Sequence, residues 1–175
     1  MMATSRITDK VLYETAKTAA LLLSQRQADL AKIRWTDGES NLDGGYSKLA
    51  CECCEIAWEN VAVAEDLAHV SLRCTGPDVL ACFGIPDEDD VLKKIELKSS
   101  LSKSIPGSTV KRLDINQILI YCLRPRVADG SYRFRCSQYY DAMGTSDTDL
   151  FQDRTPRPIV NFEKMPEVGG TYPAY

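Results

Sequence analysis

The sequence predicts an α/β fold, and three observations indicate it. Two alanine-rich stretches, residues 9–33 and 47–67, repeat apolar residues at helical spacing. Two short apolar runs, residues 79–83 and 91–97, have the length of strands and are separated by turn-forming residues. A third run, residues 117–123, is almost wholly apolar and β-rich, as in a buried strand. Helices therefore precede a set of strands within one chain.

Length and composition suit one domain with a core of ordinary size. The chain has 175 residues, 44% of them hydrophobic, and a formal net charge of −4. This charge argues against a protein that coats nucleic acid without specificity. Seven cysteines, mostly in apolar runs, predict buried thiols in a reducing compartment. We find no signal peptide and no apolar stretch of membrane-spanning length, so we expect a soluble intracellular protein, in the cytoplasm or nucleus.

The two predicted helices differ in what their surfaces carry. The first is interpreted as a packing helix with one apolar face, formed by Leu12, Ala16, Ala20 and Leu23. A Gly- and Asp-rich loop, residues 35–45, separates it from the second helix, which Ser47 is expected to cap. Beside the apolar face of the second helix runs an acidic stripe, formed by Glu52, Glu55 and Glu59.

The runs at residues 79–83 and 91–97 predict a β-hairpin whose turn lies within residues 84–90. If the turn centres near residue 87, Asp78 faces Glu96 across the ladder. Opposed residues on antiparallel strands have Cβ atoms about 4.5–5.5 Å apart, so the two carboxylates could share one divalent cation.

Alternation along the second strand of the hairpin sorts its side chains into two faces. Glu96 and Lys98 share one face, while Ile95 and Leu97 point to the other side, into a core. Two like charges directly opposite each other destabilise a hairpin. A hard cation such as Mg²⁺ takes oxygen ligands and would remove that repulsion.

Bound Mg²⁺ would also lower the pKa of a water and stabilise charge developing on a phosphate. Lys98 is placed to orient or help activate that water, or to stabilise the pentavalent phosphate. A second Pro-Asp pair, Pro86-Asp87, lies roughly 30 Å from Glu96 along an extended strand. We interpret residues 87–90 as a solvated turn.

Pro77-Asp78 followed by Glu96-Leu97-Lys98, each in a strand context, resembles the active-site motif of the PD-(D/E)xK nuclease superfamily, which includes most type II restriction endonucleases. The resemblance covers about residues 47–140. It implies a restriction-endonuclease-like core, with a mixed central β-sheet flanked by helices. Residues 1–175 would form a single nuclease domain, in which residues 1–46 are an N-terminal helix and loop.

The resemblance also implies a set of site residues. Asp78, Glu96 and the Leu97 carbonyl would bind Mg²⁺, with Mn²⁺ as a substitute, and Lys98 would serve the attacking water. A glutamate on the preceding helix, Glu55 or Glu52, would reach the metal site and assist, although a solvated acidic face explains each of them equally well. Many members act as homodimers because two DNA strands need cutting, so we expect a homodimer on double-stranded DNA.

The remaining predicted elements supply candidate phosphate contacts. Residues 69–74 predict a strand, residues 99–107 a polar loop and residues 108–113 a short helix. Three basic residues in this region could meet the DNA backbone, although a solvated side chain is the simpler explanation of each alone. They are Lys103, Lys111 and Arg112.

Two later segments allow alternative interpretations. Gln117 and Tyr121 fit a Q-x-x-x-Y signature found on a helix in RecB-type nucleases, but the β-branched content of residues 117–123 favours a strand. Residues 131–140 alternate like a half-buried strand. In that strand Arg133 and Arg135 share a face that could clamp nucleic acid or simply be solvated. Residues 144–175 hold many prolines and glycines and predict an irregular arm that wraps the domain or touches a second subunit.

These features and the resemblance together predict a Mg²⁺-dependent endonuclease that hydrolyses phosphodiester bonds in double-stranded DNA at a specific sequence. The alternatives are an RNA endonuclease of the same superfamily, of the cap-snatching type, and a non-catalytic nucleic-acid-binding protein that retains the fold. A zinc module is disfavoured because Cys51 and Cys54 have no second ligand pair at suitable spacing. His69, the single histidine, disfavours Ser/His/Asp or Cys/His catalysis.

Overall fold

The computed structural model describes residues 9–33, 35, 44–64, 70–75, 78–83, 91–106, 118–138, 143–150 and 156–166. Within these ranges the helices are α1 (Asp9–Ser24), α2 (Gln27–Lys32) and α3 (Gly44–Ala64). The strands are β1 (Val70–Thr75), β2 (Asp78–Phe83), β3 (Val91–Ser100), β4 (Ser104–Pro106), β5 (Ile118–Leu123), β6 (Arg133–Gln138), β7 (Met143–Leu150) and β8 (Pro156–Asn161), followed by a 3-10 turn at Phe162–Lys164. The chain is thus a mixed α/β protein, as the sequence predicts.

The first predicted helix is divided in two by a tight turn. The backbone N–H of Gln25 donates to the Leu22 carbonyl at 3.2 Å, and that of Arg26 donates to the Leu23 carbonyl at 2.9 Å. Such bonds to the residue three positions back tighten the last turn of a helix and end it. The apolar face of α1 is the predicted one, with Leu12, Ala16, Ala20 and Leu23 each 0% exposed.

This break allows Gln27 to clamp the backbone just before β6. The side-chain amide of Gln27 donates to the Tyr132 carbonyl at 2.9 Å, and its Oε1 accepts from the Tyr132 N–H at 2.8 Å. One side chain therefore satisfies both backbone groups of a residue 105 positions away. The clamp joins the N-terminal helices to the far edge of the main sheet.

We expect Gln27→Ala to lower the free energy of unfolding by about 1–3 kcal/mol, because it leaves both backbone groups of Tyr132 without this partner. Urea unfolding followed by circular dichroism measures the loss. Gln25→Ala is the matched control, since Gln25 is exposed and surface substitutions usually stay within about 0.5 kcal/mol. Equal losses in the two variants would contradict the clamp.

The second predicted helix starts earlier than expected. α3 begins at Gly44, so Ser47 lies inside the helix and is not its N-cap. The side chains that α3 buries are Tyr46, Leu49, Ala50, Cys53, Cys54, Ala57 and Trp58. α3 packs against α1, and the two helices cover one side of the main sheet, with α1 over β5 and β6 and α3 over β1 and β2.

The main sheet has five strands in the order β1-β2-β3-β5-β6. β1, β2 and β3 form an antiparallel meander, β5 pairs with β3 in parallel, and β6 pairs with β5 antiparallel. The sheet is therefore mixed, which confirms the coarse architecture expected from the sequence. A parallel neighbour requires a crossover, and the connection from β4 to β5 falls in residues 107–117, outside the described ranges.

The register of the predicted hairpin is confirmed. Asp78 pairs with Glu96, and the register then shifts by one residue between Ala81 and Cys82, which pair with Lys93 and Val91. A β-bulge of this kind inserts one extra residue into one strand and bends it. Because the bulge lies toward the turn, the pairing of the two acidic positions is unaffected by it.

Alternation along the strands separates the two sides of the sheet. The helix face packs in one core with α1 and α3 and includes Ile95, Leu97, Ile118, Ile120, Cys122, Phe134 and Cys136. The opposite side, which we call the front face, carries Glu96 and Lys98 and packs a second core, formed by Leu119, Tyr121, Leu123, Val160, Phe162 and Met165 with Ile105 at its margin. All six residues of β5 are buried. This confirms the prediction of a buried strand here, in preference to the alternative of a helix with the Q-x-x-x-Y signature.

The C-terminal region differs from the irregular arm that its composition predicts. A second sheet of order β4-β8-β7 includes part of the predicted polar loop as β4 and two segments of the proline-rich stretch as β7 and β8. Pro156 and Pro158 can lie in β8 because that part of the strand has a partner on one side only. Both prolines pair with β7, and the pairing of β8 with β4 begins at Ile159. Proline lacks the N–H that a strand hydrogen-bonded on both sides requires.

Candidate functional site

Glu96 and Lys98 form an almost buried ion pair on the front face. Lys98 Nζ lies 3.6 Å from Glu96 Oε1, with side-chain exposures of 12% and 6%. The predicted sharing of one face by these two residues is thus confirmed. Asp78 stands at the register position opposite Glu96, and paired positions in an antiparallel ladder share a face. The side chain of Asp78 lies outside the described part of the structure.

The neighbours of this pair across β5 are apolar or aromatic. Glu96 pairs with Leu119 and Lys98 with Tyr121, and both partners are 0% exposed. Taking two charges out of water beside such neighbours costs free energy, and hydrophobic replacements of a buried ion pair are often as stable or more so. A buried Glu–Lys pair on a strand is therefore a weak contribution to stability, and its position is not explained by stability alone.

Two buried tyrosines hold the backbone on the C-terminal side of the ion pair. The Tyr46 hydroxyl, from α3, donates to the Lys98 carbonyl at 3.5 Å. The Tyr121 hydroxyl donates to the Ser102 carbonyl, and the Ser102 N–H donates to Ser100 Oγ at 2.9 Å. Burial raises the pKa of both tyrosine hydroxyls, so they remain protonated donors. Sequence reasoning did not single out Tyr46, because nothing local distinguishes it from a packing aromatic.

The donor set around Glu96 suits a hard cation in its chemistry. Carboxylate and carbonyl oxygens are the ligands that Mg²⁺ prefers, and Asp78, Glu96 and Leu97 would offer only these. The Leu97 side chain is 1% exposed in the helix-face core, which leaves its backbone carbonyl as the group for a ligand. Within the described ranges, no cluster of three or more His, Cys, Asp or Glu side chains is arranged to hold a metal.

The helix glutamates expected to assist lie away from the ion pair. Glu52, Glu55 and Glu59 are exposed on α3, and α3 packs on the helix face of the sheet together with Ile95 and Leu97. Glu96 and Lys98 project to the opposite side. The structure therefore does not bring Glu52 or Glu55 to the ion pair, and the assisting role expected of them stays a prediction.

The candidate nucleic-acid contacts have three different outcomes. Lys103 and Arg133 are exposed. Arg135 is 8% exposed instead of lying on an open face, and it donates to the carbonyls of Phe162 and Met165 at 3.2 and 3.3 Å. This burial corrects the expected solvent-exposed position of Arg135, whose Nη1 lies 3.4 Å from Oε2 of the exposed Glu163. Lys111 and Arg112 lie outside the described residues, as does His69.

Of the five cysteines whose side chains the structure describes, four follow the expected pattern. Cys53, Cys54, Cys122 and Cys136 are free and buried. Burial raises the pKa of each of these thiols, which makes them poor nucleophiles at neutral pH. Cys51 is instead disulfide-bonded, so the prediction of buried thiols is wrong for this residue.

Comparisons with known proteins give no match to a family model, to a curated protein or to a solved structure. Among the helices described here, none combines the length and the apolar composition needed to cross a membrane. Any assignment of function therefore depends on the geometry of the front face and on the motif in the sequence.

Proposed function

We propose that this protein is a metal-dependent endonuclease that hydrolyses phosphodiester bonds in double-stranded DNA, at a specific sequence, on a restriction-endonuclease-like core. One observation carries the proposal: the hairpin register pairs Asp78 with Glu96, and Lys98 lies beside Glu96 in a nearly buried ion pair. These are the three side-chain positions of the PD-(D/E)xK motif.

The oxygen donors at these positions would hold the cation, which we propose to be Mg²⁺ or Mn²⁺. Asp78 and Glu96 would each supply a carboxylate, and Leu97 its backbone carbonyl. Bound there, the cation would supply an acidified water and stabilisation of charge on the phosphate. Calorimetry should therefore show Mn²⁺ binding by the unmodified chain and its loss in Asp78→Ala. A non-catalytic protein that only retains the fold should bind no Mn²⁺ in either form.

The chain's own residues contribute positioning and charge. The main-chain carbonyl of Lys98 accepts a hydrogen bond from the Tyr46 hydroxyl, and the Lys98 ammonium group lies 3.6 Å from Glu96 Oε1 on the front face. From this position it would donate hydrogen bonds to the attacking water or to the phosphate oxygens as their charge increases. The apolar neighbours Leu119 and Tyr121 limit access of bulk water, which strengthens these electrostatic interactions.

Incubation of the purified protein with a mixed-sequence plasmid and Mg²⁺, followed by sequencing of fragment ends, tests the proposal. Discrete ends would support a sequence-specific nuclease, and scattered ends a non-specific one. Reactions with EDTA and with single-stranded RNA run in parallel. Cleavage of RNA but not DNA would favour the RNA endonuclease, and intact DNA and RNA would refute the proposal. Sedimentation of the protein with and without DNA tests the proposed homodimer.

A further inference from the structure

A carboxylate on the front face lies among three cationic side chains. Glu163 Oε1 is 2.7 Å from Lys103 Nζ, and Glu163 Oε2 is 3.4 Å from Arg135 Nη1. The guanidinium of Arg133 lies 5.3 Å from the centroid of the neighbouring Phe162 ring. These cations hold the pKa of the Glu163 carboxyl below its ordinary value, with Lys103 as the main cause. The cluster, formed by Lys103, Arg133, Arg135 and Glu163, therefore has an excess of positive charge.

The register places this cluster on the same face as the proposed catalytic residues. Lys98 pairs with Tyr121, and Tyr121 pairs with Arg135, so the three lie in one row across neighbouring strands. In the next row of the same face, Leu123 pairs with Ser100 on one side and with Arg133 on the other. Two strand spacings separate the Cα atoms of Lys98 and Arg135 by roughly 10 Å. Nucleic acid bound at Lys98 would thus have its adjoining backbone near the cluster.

The groups of the cluster differ in how firmly they are held. The Arg135 guanidinium is held by hydrogen bonds to the carbonyls of Phe162 and Met165, and it lies 4.5 Å from the centroid of the Phe162 ring. Lys103 and Glu163 are about half exposed, at 56% and 49%. An exposed ion pair contributes little to stability. A phosphate, which guanidinium and ammonium groups bind as readily as a carboxylate, could therefore replace Glu163 at low cost.

We infer that Lys103, Arg133 and Arg135 form a backbone-phosphate subsite for the nucleic acid substrate, and that the carboxylate of Glu163 occupies it when no substrate is bound. The inference rests on the proposed function and adds a regulatory element to it. Glu163 acts as an internal competitor that lowers affinity for any polyanion. Substrate phosphate displaces it, and the basic side chains then contact the backbone next to the cleaved bond.

The test measures binding separately from cleavage. A fluorescein-labelled 20-base-pair duplex is titrated with the full chain carrying Lys98→Ala, in Mg²⁺, and anisotropy is followed at several salt concentrations. Glu163→Gln should lower Kd several-fold. The double variant Lys103→Ala/Arg133→Ala should raise Kd on the order of tenfold and reduce the slope of log K against log salt by about 1.8, since each lost phosphate contact removes about 0.9.

The charge-matched control is Lys32→Ala/Lys48→Ala, because both lysines are exposed on helices that belong to the other side of the sheet. Equal effects of the two double variants, or weaker binding by Glu163→Gln, would overturn the subsite. If the unmodified chain cleaves DNA while Lys103→Ala/Arg133→Ala binds like the control, the subsite alone is refuted. If the unmodified chain neither binds nor cleaves nucleic acid, the proposed function is refuted and the subsite with it.

Discussion

Replacing Lys98 by alanine is expected to lower metal-dependent cleavage by about 10²- to 10³-fold or more, the usual loss when one preorganised donor to developing charge is removed. The expectation follows from the position of the ammonium group, 3.6 Å from Glu96 Oε1 and 12% exposed. Single-turnover cleavage at saturating protein measures the chemical step. A folded Lys98→Ala variant with unchanged turnover would refute the catalytic assignment.

The same substitution leaves Glu96 without the ammonium partner, and this effect on stability has to be separated from the loss of chemistry. Removal of one member of a buried ion pair costs about 3–5 kcal/mol when burial is complete. The double variant Glu96→Gln/Lys98→Met removes both charges at similar volume and should recover much of that loss. We expect both variants to be inactive and to unfold cooperatively, with the double variant the more stable of the two in urea.

Phe162→Ala is expected to lower the free energy of unfolding by about 3–5 kcal/mol, as for other fully buried phenylalanines. The side chain is 0% exposed. Its ring lies edge-on to Tyr121 at 5.3 Å between centroids, and the Arg135 guanidinium lies 4.5 Å from its centroid. Loss of the ring would leave a cavity beneath the C-terminal segment and weaken the second core.

Urea unfolding of Phe162→Ala and of the milder Phe162→Leu tests this expectation, with Glu163→Ala as an exposed neighbour for comparison. If the segment were the irregular arm that its composition suggests, Phe162→Ala would change stability by no more than about 0.5 kcal/mol. A loss as small as that would show that the second core contributes little to the folded state.

The sequence predicts best where local pattern and turn position agree. The Asp78–Glu96 register could be derived because side chains alternate strictly along a strand and the turn residues fix the centre of the hairpin. The bulge at Ala81/Cys82 could not be predicted, but it lies on the turn side of the acidic pair. Alternation likewise predicted the shared face of Glu96 and Lys98, because both lie within one regular strand.

Features that depend on distant partners could not be predicted. Arg135 alternates like an exposed residue, and its burial depends on partners from a later segment, among them the carbonyls of Phe162 and Met165. The sequence did not predict β8 because its two prolines argue against a strand. They are tolerated because the pairing of β8 with β4 begins only after them. The glutamates of α3 form an acidic stripe in any helix, and the sequence does not reveal which side of the sheet that helix covers.

The location of the ion pair on β3 has a consequence for how this molecule could diversify. β3 is the middle strand of five, hydrogen-bonded to β2 on one edge and to β5 on the other, and such strands exchange their amide protons only on near-global opening. Glu96 and Lys98, the residues proposed to react, therefore lie on a strand that opens only in the slowest fluctuations of the protein. Substitutions in the peripheral hairpins and turns could therefore alter what the protein binds without shifting the register of Glu96 and Lys98.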